Sequence, residues 1–356
     1  MRKRGRILKR RVTVKDLANE LGLSLGTINM ALNNKKGVSD KTRERVIAAA
    51  NEMGYRVNRV AQGMARKPID IGIIGRNYFE GYDDLVISGI ERELHLLSDY
   101  NVAGSFSISS KIYYLEQTYA DALREFKDEK DAIIMTPAFL VWPNNIIDMM
   151  MDVDIPLMFV GPNELAADRF SCVKGDSLMS GRLAGEYLTQ TVERGKTVAI
   201  ILVGKTIKDQ YDRYFGFMEV ITKSNFSFAG VYEAYEEPNI AYYLTKNILL
   251  EKPDLGGIYV TSANWLEVCR AIEESSPRAS VRVVVTEANR HLHEKMEKGI
   301  VSACIYQNPA GQGSLAVRSV YESLAFNRDI FREQLVTPQL LLRSNLSVID
   351  ENRFFM

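Results

Sequence analysis

Apolar residues recur at helical spacing from the thirteenth position onward. Val14, Leu17, Ala18 and Leu21 predict a short helix that Gly22 ends in a left-handed turn. Thr13 stands as its N-cap, with an acid, Asp16, three residues on. Leu25, Ile28, Ala31 and Leu32 predict a second helix, capped by Ser24. The connection is so short that the two helices must cross steeply, as in a helix-turn-helix. Small Ala18 permits close contact, and Ile28 packs the second helix on the first. Ser39 caps a third helix, Asp40–Met53, with Val46, Ala49, Ala50 and Met53 inward and Gly54 closing it. Spacing alone leaves an ordinary three-helix cluster open.

Lys67-Pro68 ends this region, since proline cannot continue a helix. Apolar runs then alternate with helical periodicity. The runs are Ile69–Gly75, Ala132–Met135, Leu157–Val160, Val198–Val203, Gly257–Val260 and Arg282–Val285, and Asp83–Ser98 and Ser180–Gln190 are among the helices. Such alternation predicts parallel sheets with helices on both faces, here enough units for two lobes. Ligands of such sheets sit at the strands' carboxyl ends. The expected fold is a small all-α headpiece followed by an α/β domain of two parallel-sheet lobes.

Charge divides the chain in the same place. Net charge is zero, but residues 1–67 carry +12 and the remainder −12. A basic end on an acidic body points to a polyanion met through the first segment. Seven of the first eleven residues are Lys or Arg, a basic arm suited to tracking phosphates. Cys172, Cys269 and Cys304 have no paired spacing, which excludes a disulfide framework and suits a reducing compartment. The basic start offers no signal-peptide core, and no run reaches the ~18 apolar residues of a membrane span. A soluble, cytoplasmic protein is expected.

The second helix would read DNA. Its early exposed positions are Leu25, Gly26, Thr27, Asn29 and Met30. Thr27 and Asn29 can bond base edges or phosphates, and Leu25 and Met30 can touch thymine methyls. Lys35, Lys36, Lys41, Arg43 and the helix-capping amides suit phosphates.

The segment VTVKDLANELGLSLGTINMALNNKKGVSDKTRERVIAAANEMGYRVNRVAQGMARK resembles the headpiece and hinge of the LacI (lactose repressor) family without a gap. The resemblance implies a basic arm at 1–12, a helix-turn-helix domain at 13–57 and a hinge helix at 58–67. An effector domain follows, with one lobe about 68–172 and 309–335 and the other about 173–308 and 336–356. Met64 matches the family's apolar wedge in the minor groove. The implied DNA-binding set is completed by Thr13, Ser24, Asn33, Asn58, Arg59 and Ala61. Many members carry Ser-Arg where this chain has Asn29-Met30, so the family's usual operator sequence does not carry over.

From residue 68 the order of segments resembles the periplasmic sugar-binding-protein fold, and GIVSACIYQNPAGQGSLAVRSVYESL resembles the family's crossing back to the first lobe. Strand ends place Asn77, Tyr78, Phe79 and Tyr82 in the cleft, where aromatic faces stack on sugars. Thr261, Asn264 and Trp265 follow another strand. The resemblance adds Arg213, Glu287 in place of a usual Asp, and Gln307; Asp209 and Phe139 are further candidates. It also implies a homodimer on a pseudo-palindromic operator, joined through helices such as Asp83–Ser98. Leu346–Met356 is too short for a tetramer-forming helix. The expected effector is a sugar or polyol, and the expected activity is that of a repressor, released by inducer or closed by corepressor. A sugar-binding receptor without a DNA role is the alternative.

Enzyme motifs do not assemble. Gly204-Lys205-Thr206 lacks the preceding glycine of a phosphate loop, because that position is Ala199. GDSLM and GQGSL are not nucleophile elbows. His291 and His293 have no third ligand for a metal. His95 is expected to be structural, and no catalytic residue, cofactor or metal is expected.

Overall fold

The structure is a computed structural model and describes residues 12–32, 37–53, 55, 67–78, 80–136, 142–161, 170–224, 226–261, 263–275 and 280–347. The chain divides into two compact units at the Arg66–Lys67 junction.

In the first unit, α1 (Val14–Leu21), α2 (Leu25–Leu32) and α3 (Asp40–Glu52) follow the sequence pattern. Thr13 and Asp16 form a reciprocal capping box, with the Asp16 carboxylate accepting from the Thr13 N–H at 2.8 Å. Gly22 takes φ 63° and its N–H closes on the Ala18 carbonyl, so the chain turns within one residue. Leu17, Ile28 and Val46 are fully buried and form the core with Ala18, Ala31 and Ala50. The third helix ends at Glu52, with Met53 as its C-cap. Gly54 lies outside the described residues.

The second unit alternates strand and helix. Its first stretch comprises β1 (Ile69–Arg76), α4 (Asp83–Leu97), β2 (Val102–Ser109), α5 (Leu115–Glu129), β3 (Ala132–Met135), α6 (Asn144–Met151), β4 (Leu157–Val160) and β5 (Ser171–Gly175). The second comprises α7 (Ser177–Thr191), β6 (Thr197–Leu202), α8 (Lys208–Lys223), β7 (Ser227–Glu233), α9 (Pro238–Glu251), β8 (Leu255–Val260), α10 (Trp265–Glu273), β9 (Arg282–Thr286), α11 (Leu292–Glu297) and β10 (Val301–Tyr306). Then come α12 (Pro309–Phe326), β11 (Glu333–Val336) and β12 (Gln339–Leu341). One sheet has the order β11-β5-β4-β3-β1-β2 and the other β12-β10-β9-β8-β6-β7. All pairings are parallel except β10 with β12.

The central strands are mostly apolar because both faces are covered, with polar residues such as Asp70 and Lys174 only partly buried. Ile71 and Ile73 of β1 join the cluster that includes Ile90 of α4 and Val317 of α12, while Ile74 joins that of Leu123 and Ile146 from α5 and α6. The edge strands β2 and β7 are covered less and carry polar positions, which is why no apolar run announced them.

The chain crosses between the sheets after β5, after β10 and after β11. The first crossing falls at Asp176, not after Cys172, because the whole of Ser171–Gly175 pairs in the first sheet. Asp176 caps α7, accepting from the Met179 N–H at 2.9 Å, and its own N–H donates to the Val336 carbonyl at 3.0 Å. The return falls beyond Val336, which pairs with Gly175.

Helices α7 and α8 cross at contact distance through paired glycines. A β-carbon on Gly181 would stand 2.0 Å from the Arg213 carbonyl oxygen, and one on Gly216 would stand 2.1 Å from that of Leu178. This crossing fixes the height of α8 above its sheet and therefore of the side chains on its first turns. Among the described residues, no helix is long and apolar enough to cross a membrane.

Candidate functional site

On the first unit, the outer face of α2 is the candidate reading surface. Ser24, Gly26 and Asn29 are exposed, Leu25 is 50% exposed, and Thr27 and Met30 are partly so, while Ile28 and Ala31 face the core. The Ser24 hydroxyl accepts from the Thr27 N–H at 3.1 Å and meets the Thr27 hydroxyl at 2.9 Å. Both hydroxyls therefore hold the helix start as well as facing outward. The Thr13 hydroxyl likewise donates to Asp16 at 2.7 Å. Gly37 packs beside the Met30 sulfur at φ +108°, a backbone conformation that favours glycine. Asn33, Lys35, Lys36, Asn58, Arg59, Ala61, Met64 and the basic arm lie outside the described residues.

In the second unit, polar side chains converge at the carboxyl ends of β1, β7, β8, β9 and β10. Arg213 is the centre. It is 3% exposed, and its Nη2 lies 2.6 Å from Asp209 Oδ2 and 2.9 Å from Gln307 Oε1. Its Nη1 donates to the Thr261 carbonyl at 3.4 Å. The other oxygen of Asp209 accepts from the Ser177 hydroxyl. The Gln307 amide donates to Glu287 Oε1 at 2.6 Å. Gln312 donates to the Gln307 carbonyl at 2.9 Å and accepts from the Tyr82 hydroxyl at 3.0 Å. A continuous chain of hydrogen bonds thus runs from the first lobe's Tyr82 to the second lobe's Arg213 and Glu287.

The lobes touch beside this network. A β-carbon on Gly81, before α4, would stand 2.0 Å from the Ala288 carbonyl after β9, and Glu80 pairs with Arg290 at 3.6 Å. Beneath Tyr82, Arg76 Nε lies 3.3 Å from Asp83 Oδ1, and its guanidinium covers the Tyr78 ring at 4.9 Å.

Burial sets the electrostatics. Burial is the largest cause raising the Glu287 carboxyl, and Asp209, Glu236 and Asp83 add to it against the pull of Arg213, so that it is pushed up to about 7. Burial likewise raises Glu236, which a hydrogen bond from the Ala263 backbone opposes. Tyr82 rises by burial and then by Glu287, so its hydroxyl stays a donor. For Arg213, burial lowers and Asp209 raises, and the balance lies upward, leaving it charged.

Of the residues expected in the cleft, Tyr82, Asp209, Arg213, Glu287 and Gln307 stand in this network. Tyr78 is beside Arg76, and Asn264 reaches Glu236 at 3.5 Å. Thr261 contributes its carbonyl, since its hydroxyl is bonded to Gln210 and the Ile201 carbonyl. Trp265 differs from expectation: its ring is fully buried in the cluster of Leu85, Val268 and Ala288, so it packs the core where a stacking platform was expected. Asn77 is exposed and held by its N–H to the Ser109 carbonyl. Phe79 and Phe139 lie outside the described residues. His95 is exposed on α4 and has no structural burial.

Sequence reasoning missed Asp83, Ser177, Gln210, Glu236 and Gln312. Asp83 had a signal, an acid at a helix start next to a strand-end arginine. Glu236 had none, because β7 before it was not recognised.

Comparison with known proteins adds the following. Residues 13–58 match the family described as bacterial regulatory proteins, lacI family, and residues 124–328 match the periplasmic binding protein domain. The Catabolite control protein A of Streptococcus mutans is 30% identical over 92 residues, 26% of this chain and 27% of that protein, so the match spans about a quarter of its length. The Ribose operon repressor of Halalkalibacterium halodurans is 25% identical over 252 residues, 70% of this chain and 71% of that protein. The crystal structure of a periplasmic ribose ABC transporter from Conexibacter woesei superposes with a TM-score of 0.70 at 18% identity, covering 81% of this chain and 96% of that one. That likeness is one of fold.

Proposed function

The chain belongs to the lacI family of bacterial regulatory proteins, with a periplasmic binding protein domain behind its headpiece, and on that premise we propose that it is a transcriptional repressor governed by a sugar or polyol. The headpiece reads DNA through α2. The two-lobed domain closes on the effector and changes DNA affinity, and ligand and DNA must alter each other's binding by the same factor. It acts as a cytoplasmic homodimer on a pseudo-palindromic operator, with α4 contributing to the dimer contact.

The observation that carries this reading is the coexistence of two things in one chain. One is a capped, exposed α2 on a compact three-helix core. The other is a buried Arg213–Asp209–Gln307–Glu287 network at strand carboxyl ends. Such a network offers donors and acceptors suited to the hydroxyls of a ligand. The relatives named for a ribose operon and for ribose transport support a sugar as the effector class.

The test is selection of binding sites from a random DNA pool by the full chain, followed by gel shifts with and without sugars. A recovered site with two-fold symmetry, released or tightened by a sugar, is the expected result. A chain that selects no sequence refutes the regulator reading and leaves the receptor alternative.

A further inference from the structure

Gln312, in the first turn of α12, is fully buried, and both ends of its amide are engaged. Its Nε2 donates to the Gln307 carbonyl at 2.9 Å, and its Oε1 accepts from the Tyr82 hydroxyl at 3.0 Å. Burying an amide is costly unless both ends are bonded, so these two contacts fix its orientation.

The Tyr82 side of this amide is rigid. Helices α4 and α12 cross at backbone contact. A β-carbon on Gly89 would stand 2.0 Å from the Ala310 carbonyl oxygen, and one on Gly313 would stand 2.3 Å from that of Val86. Across the same crossing the Ser314 hydroxyl donates to the Gly89 carbonyl at 2.9 Å and accepts from Arg92 at 3.0 Å. Tyr82 is the N-cap of α4, and Gln312 stands next to Gly313. Neither can shift against the other without parting the helices.

The Gln307 side lies across the joint between the lobes. Strand β10 ends at Tyr306 and α12 begins at Pro309, so Gln307 and Asn308 are the connection. Asn308 takes a left-handed φ of 52°, a strained conformation that its side chain holds by accepting from the Gly311 N–H at 3.0 Å. The Gln312 amide closes back over this kink onto Gln307. The end of β5 passes alongside: a β-carbon on Gly175 would lie 2.9 Å from Gln307 Oε1 and 3.4 Å from Gln312 Nε2. Two of the three crossings between the sheets thus meet at this amide. Gln307 itself stands between opposite charges, accepting from Arg213 and donating to Glu287, so its place sets the spacing of that guanidinium and that carboxyl.

Resting on the sugar-responsive reading above, we propose that Gln312 is a positioning residue for the effector site: oriented by Tyr82 on the rigid α4–α12 pair, it holds Gln307 across the lobe joint and so sets the Arg213–Glu287 spacing that the sugar meets. The Tyr82 hydroxyl acts through Gln312, to which its proton is committed, and not as a direct contact to the sugar.

The experiment is a double-mutant cycle on sugar affinity, read by calorimetry on the full chain at pH 7.5. The probe is the tightest binder among D-ribose, D-allose, D-glucose, D-galactose and myo-inositol. Gln312→Met keeps the length of the side chain and removes both hydrogen bonds, while Tyr82→Phe removes only the hydroxyl. Melting temperatures without sugar check that each variant is folded. Each single variant is expected to weaken the probe by about ten-fold or more, the scale of one buried hydrogen bond. The double variant should bind within about two-fold of Gln312→Met alone, as residues acting in one chain do. Gln312→Glu is the second test: its protonated carboxyl can make both bonds and its carboxylate cannot, so its affinity relative to the wild type should fall as pH rises from 5 to 8. Wild-type affinity in folded Gln312→Met, or a Gln312→Glu ratio that is flat with pH, overturns the proposal and leaves the sugar-responsive reading standing. So does a Tyr82→Phe loss that persists undiminished beside Gln312→Met, because the hydroxyl then meets the sugar itself. Binding of no probe by the wild type overturns both.

Discussion

Arg213 Nη2 lies 2.6 Å from Asp209 Oδ2, one turn earlier on α8, and the same nitrogen reaches Gln307 at 2.9 Å. One carboxylate thus neutralises the cation that organises the second lobe's half of the cleft. Replacing Asp209 by Ala leaves that cation buried without its direct carboxylate partner, which should cost roughly 3 to 5 kcal/mol of stability. Chemical denaturation of the variant checks it. A loss below about 1 kcal/mol means that the pair is not desolvated as described. Arg213→Ala should abolish the effector response, and Arg213→Lys should not restore it, because a single ammonium cannot serve Asp209, Thr261 and Gln307 together.

Glu287 gives a pH signature. Its folded carboxyl is pushed up to about 7 by burial first, against about 4.3 in an unfolded chain. The folded state therefore binds the extra proton between those values, and stability falls as pH rises from about 4.5 to 7. Glu287→Gln removes this penalty. The variant should exceed the wild type by on the order of 1 to 3 kcal/mol at pH 8, with the gap closing near pH 4.5. Equal stabilities at pH 8 would contradict the buried carboxyl.

Gly81 marks a close contact between the lobes. A β-carbon there would overlap the Ala288 carbonyl at 2.0 Å, and φ is +86°. Gly81→Ala should hold the lobes apart and weaken effector binding by ten-fold or more. Its effect on DNA binding without effector should be small. Calorimetry of effector binding decides it, and unchanged affinity rules out this contact as a closure stop.

The headpiece should fail independently of the effector domain. Ile28 is fully buried in a small core, and Ile28→Ala should cost roughly 2 to 5 kcal/mol, enough to unfold three short helices. DNA binding should vanish while sugar binding stays within two-fold. By contrast, Asn29→Ala should lower affinity for the selected operator by on the order of 1 to 3 kcal/mol without altering the salt slope. A changed slope would place Asn29 on phosphate and not on bases.

The three-helix headpiece was legible in the chain because its determinants are local. Thr13, Ser24 and Ser39 cap within three residues, Gly22 turns within one, and the apolar stripe has one period. The central strands β1, β3, β4, β6, β8 and β9 were legible for a similar reason, since burial on both faces leaves runs of mostly apolar residues. Edge strands β2 and β7 were not, because a half-covered strand tolerates polar residues, and Glu236 was lost with β7. Resemblance brought Arg213, Glu287 and Gln307 forward one by one.

What no stretch of sequence contained was their assembly. Arg213 meets a glutamine 94 residues away, and Tyr82 meets one 230 residues away. The indole of Trp265 went to the core and not to the cleft, because the cluster around Ala288 and Leu85 surrounds it completely. The sequence by itself determined the headpiece, the class of fold and most of the polar groups available to the cleft. Only the tertiary structure decided which carboxylates share a cation and which do not. Charge pairing depends on distances across lobes, and those are set by helix crossings and strand order, not by spacing along the chain.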